Sequence, residues 1–112
     1  MKDSILALIR DRQHVSFVDL SESITGFKGD VTMLHALDPN VVLWPWCSDT
    51  AIDAILELTK ANLIFPHPAS TLVYMIDGLF PALPQVVNPP EGGYNERRWL
   101  PICFCDYPIE SD

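Results

Sequence analysis

SDTAIDAILELTKANLIFPHPASTLVYMIDG, residues 48–78, is the stretch whose reading decides the fold. Its first half carries the strongest helix signal in the chain. Ser48, Asp49 and Thr50 offer capping oxygens, and acids cluster near the start, where the helix dipole favours them. Ala51, Ile52, Ile55, Leu56 and Leu58 form a wide apolar stripe, so a helix is expected over residues 48–61. The second half is rich in β-branched and aromatic residues. Residues 63–65 and 71–76 flank a proline-rich turn, which predicts two antiparallel strands, and Asp77-Gly78 signals a second turn.

Immediately before this helix stands VVLWPWC, residues 41–47. Asp38, Pro39 and Asn40 are turn formers and residues 41–46 are strand formers, so 41–46 reads as extended, while 30–37 stays open between a strand and a short helix. Trp44 and Trp46 are two residues apart, which on an extended segment sends both rings to one side. Pro45 points to the other side and removes a ladder donor, so the segment pairs along one edge only. WPW thus ends a strand and turns the chain into the helix. The rings either cover the apolar face of that helix or stand out as aromatic anchors for a partner.

Nearer the N-terminus, Ile5, Leu6, Leu8 and Ile9 recur at helical spacing within residues 3–12. After an extended link at His14 and Val15, Ser16 is placed to cap a second helix, with Asp19 three residues on. Phe17, Leu20 and Ile24 share one face before Gly26 stops the run. Downstream, prolines at 81, 84, 89, 90, 101 and 108 confine strands to short or edge positions, and PPEGGY (89–94) reads as a loop. The apolar run 99–104 returns as a strand, beside 85–87 or along the earlier hairpin. No repeat or linker divides the chain.

A chain of 112 residues is expected to form one domain, 1–112, that buries about two thirds of the surface its unfolded form exposes. The expected fold class is α+β: a three-helix core with a small antiparallel sheet over 3–77, and a proline-rich C-terminal extension, 78–112, packed on it. No apolar run approaches the roughly 18 residues of a membrane span, and Asp3 and Asp11 around a short apolar centre argue against a secretory signal, so the expected location is cytoplasmic. Three cysteines, Cys47, Cys103 and Cys105, are too few for a disulfide framework and are expected as free thiols. With 15 acidic against 7 basic residues, the net charge of −8 repels phosphate backbones and anionic membranes and favours basic partners.

The order helix, short extended link, helix, then a capped helix and a hairpin resembles that of a winged-helix domain over residues 3–77. The resemblance implies a recognition helix at 48–61, entering the DNA major groove, and a wing at 66–70. The sequence departs from that pattern. About twenty residues separate the second and third helices, and a long tail follows the wing. Asp49, Asp53 and Glu57 stand at i, i+4 and i+8 on the would-be recognition helix, answered only by Lys60, and PHPAS offers no cation to a phosphate. The acidic row reads either as a solvated face or as a surface for a basic protein.

Chemistry-bearing candidates are few. Cys47 precedes helix caps, where backbone N–H groups would favour a thiolate, but no motif brings His14, His35 or His67 to it. Cys103 and Cys105 share a strand face and, with Cys47 and a histidine, would make up four zinc ligands; their C-x-C spacing is not that of a structural zinc site, and no metal or cofactor is expected. P-loop, G-x-G-x-x-G, G-x-S-x-G and H-E-x-x-H motifs are absent. Arg97-Arg98, between Glu96 and Trp99, reads as a surface ion-pair element. The sequence therefore points to a non-catalytic regulatory or adaptor module that binds a protein, itself basic, through Trp44, Trp46, Asp49, Asp53 and Glu57. The alternative is a winged-helix DNA-binding regulator, in which a homodimer would gather Arg10, Arg12, Lys28 and Lys60.

Overall fold

The structure is a computed structural model that describes residues 1–86 and 93–109. The PPEGGY loop expected at 89–94 and the strand position Val87 fall, up to residue 92, outside the described residues. Four helices and two three-stranded sheets make up the described part, an α+β architecture. Three helices on one antiparallel sheet were expected; a fourth helix and a second sheet, mixed in direction, correct that picture.

The first helix, α1 (Lys2–Arg12), buries Ile5 and Ile9. The chain then leaves in an unusual way, since both Gln13 (φ 53°) and His14 (φ 50°) take left-handed backbone angles before the two-residue strand β1 (Val15–Ser16). Helix α2 (Phe17–Ser23) begins as its sequence predicts. The Ser16 hydroxyl accepts from the Asp19 N–H at 3.1 Å, and the Asp19 carboxylate accepts from the Ser16 N–H at 3.1 Å, closing a capping box.

The open segment 30–37 resolves as a strand, β2 (Lys28–Leu34), antiparallel to β3 (Val41–Cys47). The pairing is irregular, and at its end Gly29 lies so close to the Cys47 carbonyl and Ser48 Cα that any β-carbon would collide with backbone. Pro45 is tolerated because the second neighbour of β3, the parallel strand β5 (Arg98–Trp99), reaches only Val41 and Val42. Helix α3 (Asp49–Lys60) follows at once. Ser48 Oγ accepts from the Ala51 N–H at 3.1 Å and donates to the Gly26 carbonyl at 2.6 Å, and Ala51, Ala54, Ile55 and Leu58 are buried, in part against α1. Leu56, expected in the buried stripe, is exposed.

The second half of the deciding stretch does not form a hairpin. Phe65–Pro68 is strand β4, but Thr71–Asp77 is a helix, α4, capped by Ser70 Oγ on the Leu72 N–H (3.2 Å) and ended by Gly78 in the left-handed conformation (φ 82°). The strand slot beside β4 is taken instead by β6 (Ile102–Cys105), which lies between β1 and β4 and is antiparallel to both. A partner from more than thirty residues downstream thus displaces the local one, and the cap at Ser70 with the stop at Gly78 wins over the strand propensity between them.

The run 99–104 is likewise divided. Pro101 separates β5 from β6, so the two halves enter different sheets, and Trp99 also exchanges backbone bonds at 2.8 Å with the segment at Pro84 and Val86. The core between the sheets is an aromatic row. Phe17 stacks on Trp44 (5.6 Å, 3°), Trp44 meets Tyr74 (5.3 Å), and Tyr74 meets Trp99 (5.1 Å). Among the described residues, no helix is long and apolar enough to cross a membrane.

Candidate functional site

The sequence-named residues separate by exposure. Trp44 is buried and its indole N–H has no hydrogen-bond partner, so its ring is a core residue and not a freely exposed anchor. Trp46 is 37% exposed, and its ring stands edge-on to Trp44 at 5.2 Å, on the same side of β3 as period two requires. Asp49, Asp53 and Glu57 are all exposed along α3. Glu57 reaches Lys2 Nζ at 3.3 Å, but both side chains are mostly in solvent, where such a pair contributes at most about 1 kcal/mol.

A larger surface lies where strands were expected. Of thirteen exposed large apolar side chains among the described residues, six (Leu72, Val73, Met75, Ile76, Leu79 and Phe80) fall within residues 72–80, which makes a patch and not scatter. Ile76 is 80% exposed. Tyr74 is the one buried residue of α4; its hydroxyl donates to the Ile102 carbonyl (2.6 Å) and accepts from the Phe17 N–H (3.2 Å). Burial pushes that hydroxyl above the usual phenol range, so it stays protonated and keeps both bonds. At the far end of α4 the Asp77 carboxylate accepts from Ser16 Oγ at 3.4 Å.

Two grooves adjoin this patch. One, of about 350 Å³, opens between α4 and the segment after it, with Met75, Phe80, Leu83 and Trp99 on its walls. The other, of about 330 Å³, is lined by Ser21, Lys28, Gly29, Trp44, Trp46 and Leu79, and so connects the exposed tryptophan to the α4 patch. Strand alternation over 71–76 had hidden this surface. The signal that could have found it is the Ser70 and Gly78 pair, which brackets one short helix with almost no polar face.

All three cysteines are buried free thiols. Cys47 is fully buried, and the loss of solvent pushes its thiol up to about 12, which overrides the helix start beside it. Cys103 and Cys105 both face His14, whose Nδ1 lies 3.8 Å and 3.4 Å from the two sulfurs. This meeting depends on β1 pairing with β6 and has no trace in local spacing. Burial, with Cys105 as neighbour, pushes the Cys103 thiol up to about 11. Tyr107 completes the cluster through its hydroxyl to His14 Nε2 (3.2 Å) and its carbonyl to His67 Nε2 (2.7 Å). Cys47 is not part of it, and among the described residues no three His, Cys, Asp or Glu side chains form a group that could hold a metal ion.

Of the arginine doublet, Arg98 makes contacts within the fold. Arg98 lies 5.1 Å from the centre of the Tyr94 ring and donates to the Gln85 carbonyl at 3.3 Å. Asp38 anchors the same corner. Its carboxylate accepts the Tyr94 and Asn40 N–H groups at 3.1 Å and 2.9 Å, which hold it below the usual carboxylate range. No protein-family model, curated protein or solved structure matches this chain.

Proposed function

We propose that this chain is a small, non-catalytic regulatory or adaptor module of the cytoplasm that binds another protein. The observation that carries the reading is the exposed apolar patch of α4 and residues 79–80, continuous through a groove with half-exposed Trp46. Exposed apolar surface of this concentration is costly to leave in water and is the usual mark of a contact surface. Trp44, beneath Trp46, serves as its backing, and the row Asp49, Asp53 and Glu57 serves to steer a basic partner toward the chain. The Cys47 and Cys103 thiols, raised away from ionisation, support a role without nucleophilic chemistry at those two positions.

The test is site-specific photo-crosslinking in the source cells, with the reactive group at position 76 in one preparation and at position 53 in another. A discrete adduct from position 76 that disappears in Leu72→Asp/Phe80→Asp is the expected result. Charge reversal of Asp53 and Glu57 to Lys should slow association, most at low salt. No adduct from either position, with an intact fold, would remove the reading. A labelled DNA duplex titrated at low salt addresses the winged-helix DNA regulator: binding that weakens steeply as salt rises would put that function in its place.

A further inference from the structure

We infer that the partner segment on the α4 patch is a cationic amphipathic helix, one that sets apolar side chains on α4 and a Lys or Arg over its acidic edge. This rests on the protein-binding reading above and names the chemistry of the partner. The apolar half follows from the patch itself. Beside the two grooves, one walled by Met75 and Phe80 and the other by Trp46 and Leu79, Leu72 and Ile76 are exposed, so an incoming amphipathic helix can lay its apolar face on α4 and seat large side chains in the grooves.

The cationic half follows from two carboxylates beside the patch. Asp19 accepts from the Ser16 N–H at 3.1 Å and Asp77 accepts from Ser16 Oγ at 3.4 Å, so both carboxylates crowd one serine. Asp77 is exposed at the last position of α4, next to Ile76, which puts its carboxylate at the edge of the patch. The one ion pair among the described residues, Lys2 with Glu57, lies elsewhere. A partner that covers α4 strips water from Asp77, which already has the Asp19 carboxylate on the same serine. That step is unfavourable unless the partner brings a cation. Lys28 stands at the Trp46 end and does not touch Ser16 in the hydrogen bonds described, so the patch is acidic at one end and singly basic at the other.

A second copy of this chain is the poorer occupant. A two-fold contact through α4 would join two bodies that each carry a net charge of −8 and an exposed Asp77 on the contacting helix. An acidic or uncharged helix would leave Asp19 and Asp77 without compensation.

The test uses the whole chain and three synthetic helical peptides of about 14 residues, or four turns. One is an amphipathic Leu/Lys sequence, the second its Leu/Glu twin, and the third the Leu/Lys composition in an order with no apolar face; binding is followed by isothermal calorimetry. Expected is binding of the first peptide only, weakened about tenfold or more in Ile76→Asp and about three- to tenfold in Asp77→Asn, and weakened again as salt rises from about 50 to 500 mM. Because Ile76 is largely exposed, Ile76→Asp should fold, and its circular dichroism and melting curve verify this. Equal binding of the Leu/Glu twin or of the unpatterned peptide, or binding that ignores Ile76→Asp, overturns the inference. So does concentration-dependent self-association that Ile76→Asp abolishes, which would give the patch to a second copy. If no peptide binds while the position-76 adduct of the preceding section still forms, the cationic helix fails and the protein-binding module stands.

Discussion

Helices α3 and α4 are built from similar apolar content and put it to opposite use. In α3, twelve residues long, Ala51, Ala54, Ile55 and Leu58 turn inward and Asp49, Asp53 and Glu57 turn outward, so packing holds the helix in place. In α4, seven residues long, only Tyr74 turns inward, and Leu72, Val73, Met75 and Ile76 face solvent. A helix that short gains little from its own hydrogen bonds. One tyrosine, a capping serine and the bond that Asp77 accepts from the Ser16 hydroxyl hold it, which leaves its apolar face free for another molecule.

The comparison is broken most severely by truncating one isoleucine on each helix. Ile55 is 1% exposed, so Ile55→Ala should destabilise the protein by about 2–5 kcal/mol through lost burial and the cavity left behind. Ile76→Ala, the same deletion at an 80% exposed position, should change stability by no more than about 0.5 kcal/mol. Urea unfolding followed by tryptophan fluorescence measures both. A large loss from Ile76→Ala would mean that α4 is packed, and the contact surface proposed for it would go with that result.

A middle-sized effect is expected from Tyr74→Phe. The ring would still fill its place against Trp44 and Trp99, but the Phe17 N–H and Ile102 carbonyl would lose their shared partner in a buried site, at a cost of about 1–3 kcal/mol. Amide hydrogen exchange should show α4 opening first, with α3 protected almost as before. Equal loss of protection in both helices would instead make them one cooperative unit.

The contrast also explains what could be read from the residues alone. Helix α3 was legible because its apolar period, its Ser48 cap and its acidic first turn all agree. So were the α2 capping box at Ser16 and Asp19 and the extended VVLWPW segment, 41–46. Helix α4 was not, since Thr71, Val73, Tyr74 and Ile76 favour a strand, and a seven-residue helix shows too few turns for its period to count against that. What removes the strand option is β6, a non-local partner that takes the edge of β4. The site inherits the same limit. The acids of α3 could be placed on an outward face from their spacing, whereas the α4 patch needed the helix, and the meeting of His14 with Cys103 and Cys105 needed the β1–β6 pairing.

The finest distinction lies in the two caps. Ser48 and Ser70 each accept one backbone N–H at the start of a helix, at 3.1 Å and 3.2 Å, and losing such a bond typically costs about 1 kcal/mol. The consequences should differ, because Ser48 Oγ also donates to the Gly26 carbonyl at 2.6 Å and so joins the start of α3 to the turn before β2. Ser48→Ala removes both bonds where the core is built, and the melting temperature should fall by roughly 4–8 °C. Ser70→Ala removes one bond from a helix that global unfolding scarcely senses. It should fray the first turn of α4 and raise the exchange rate of the Leu72 amide with little change in melting temperature. If the two substitutions lower the melting temperature equally, α4 belongs to the same cooperative core as α3, and its outward apolar face must be explained without the freedom that a loosely held helix gives it.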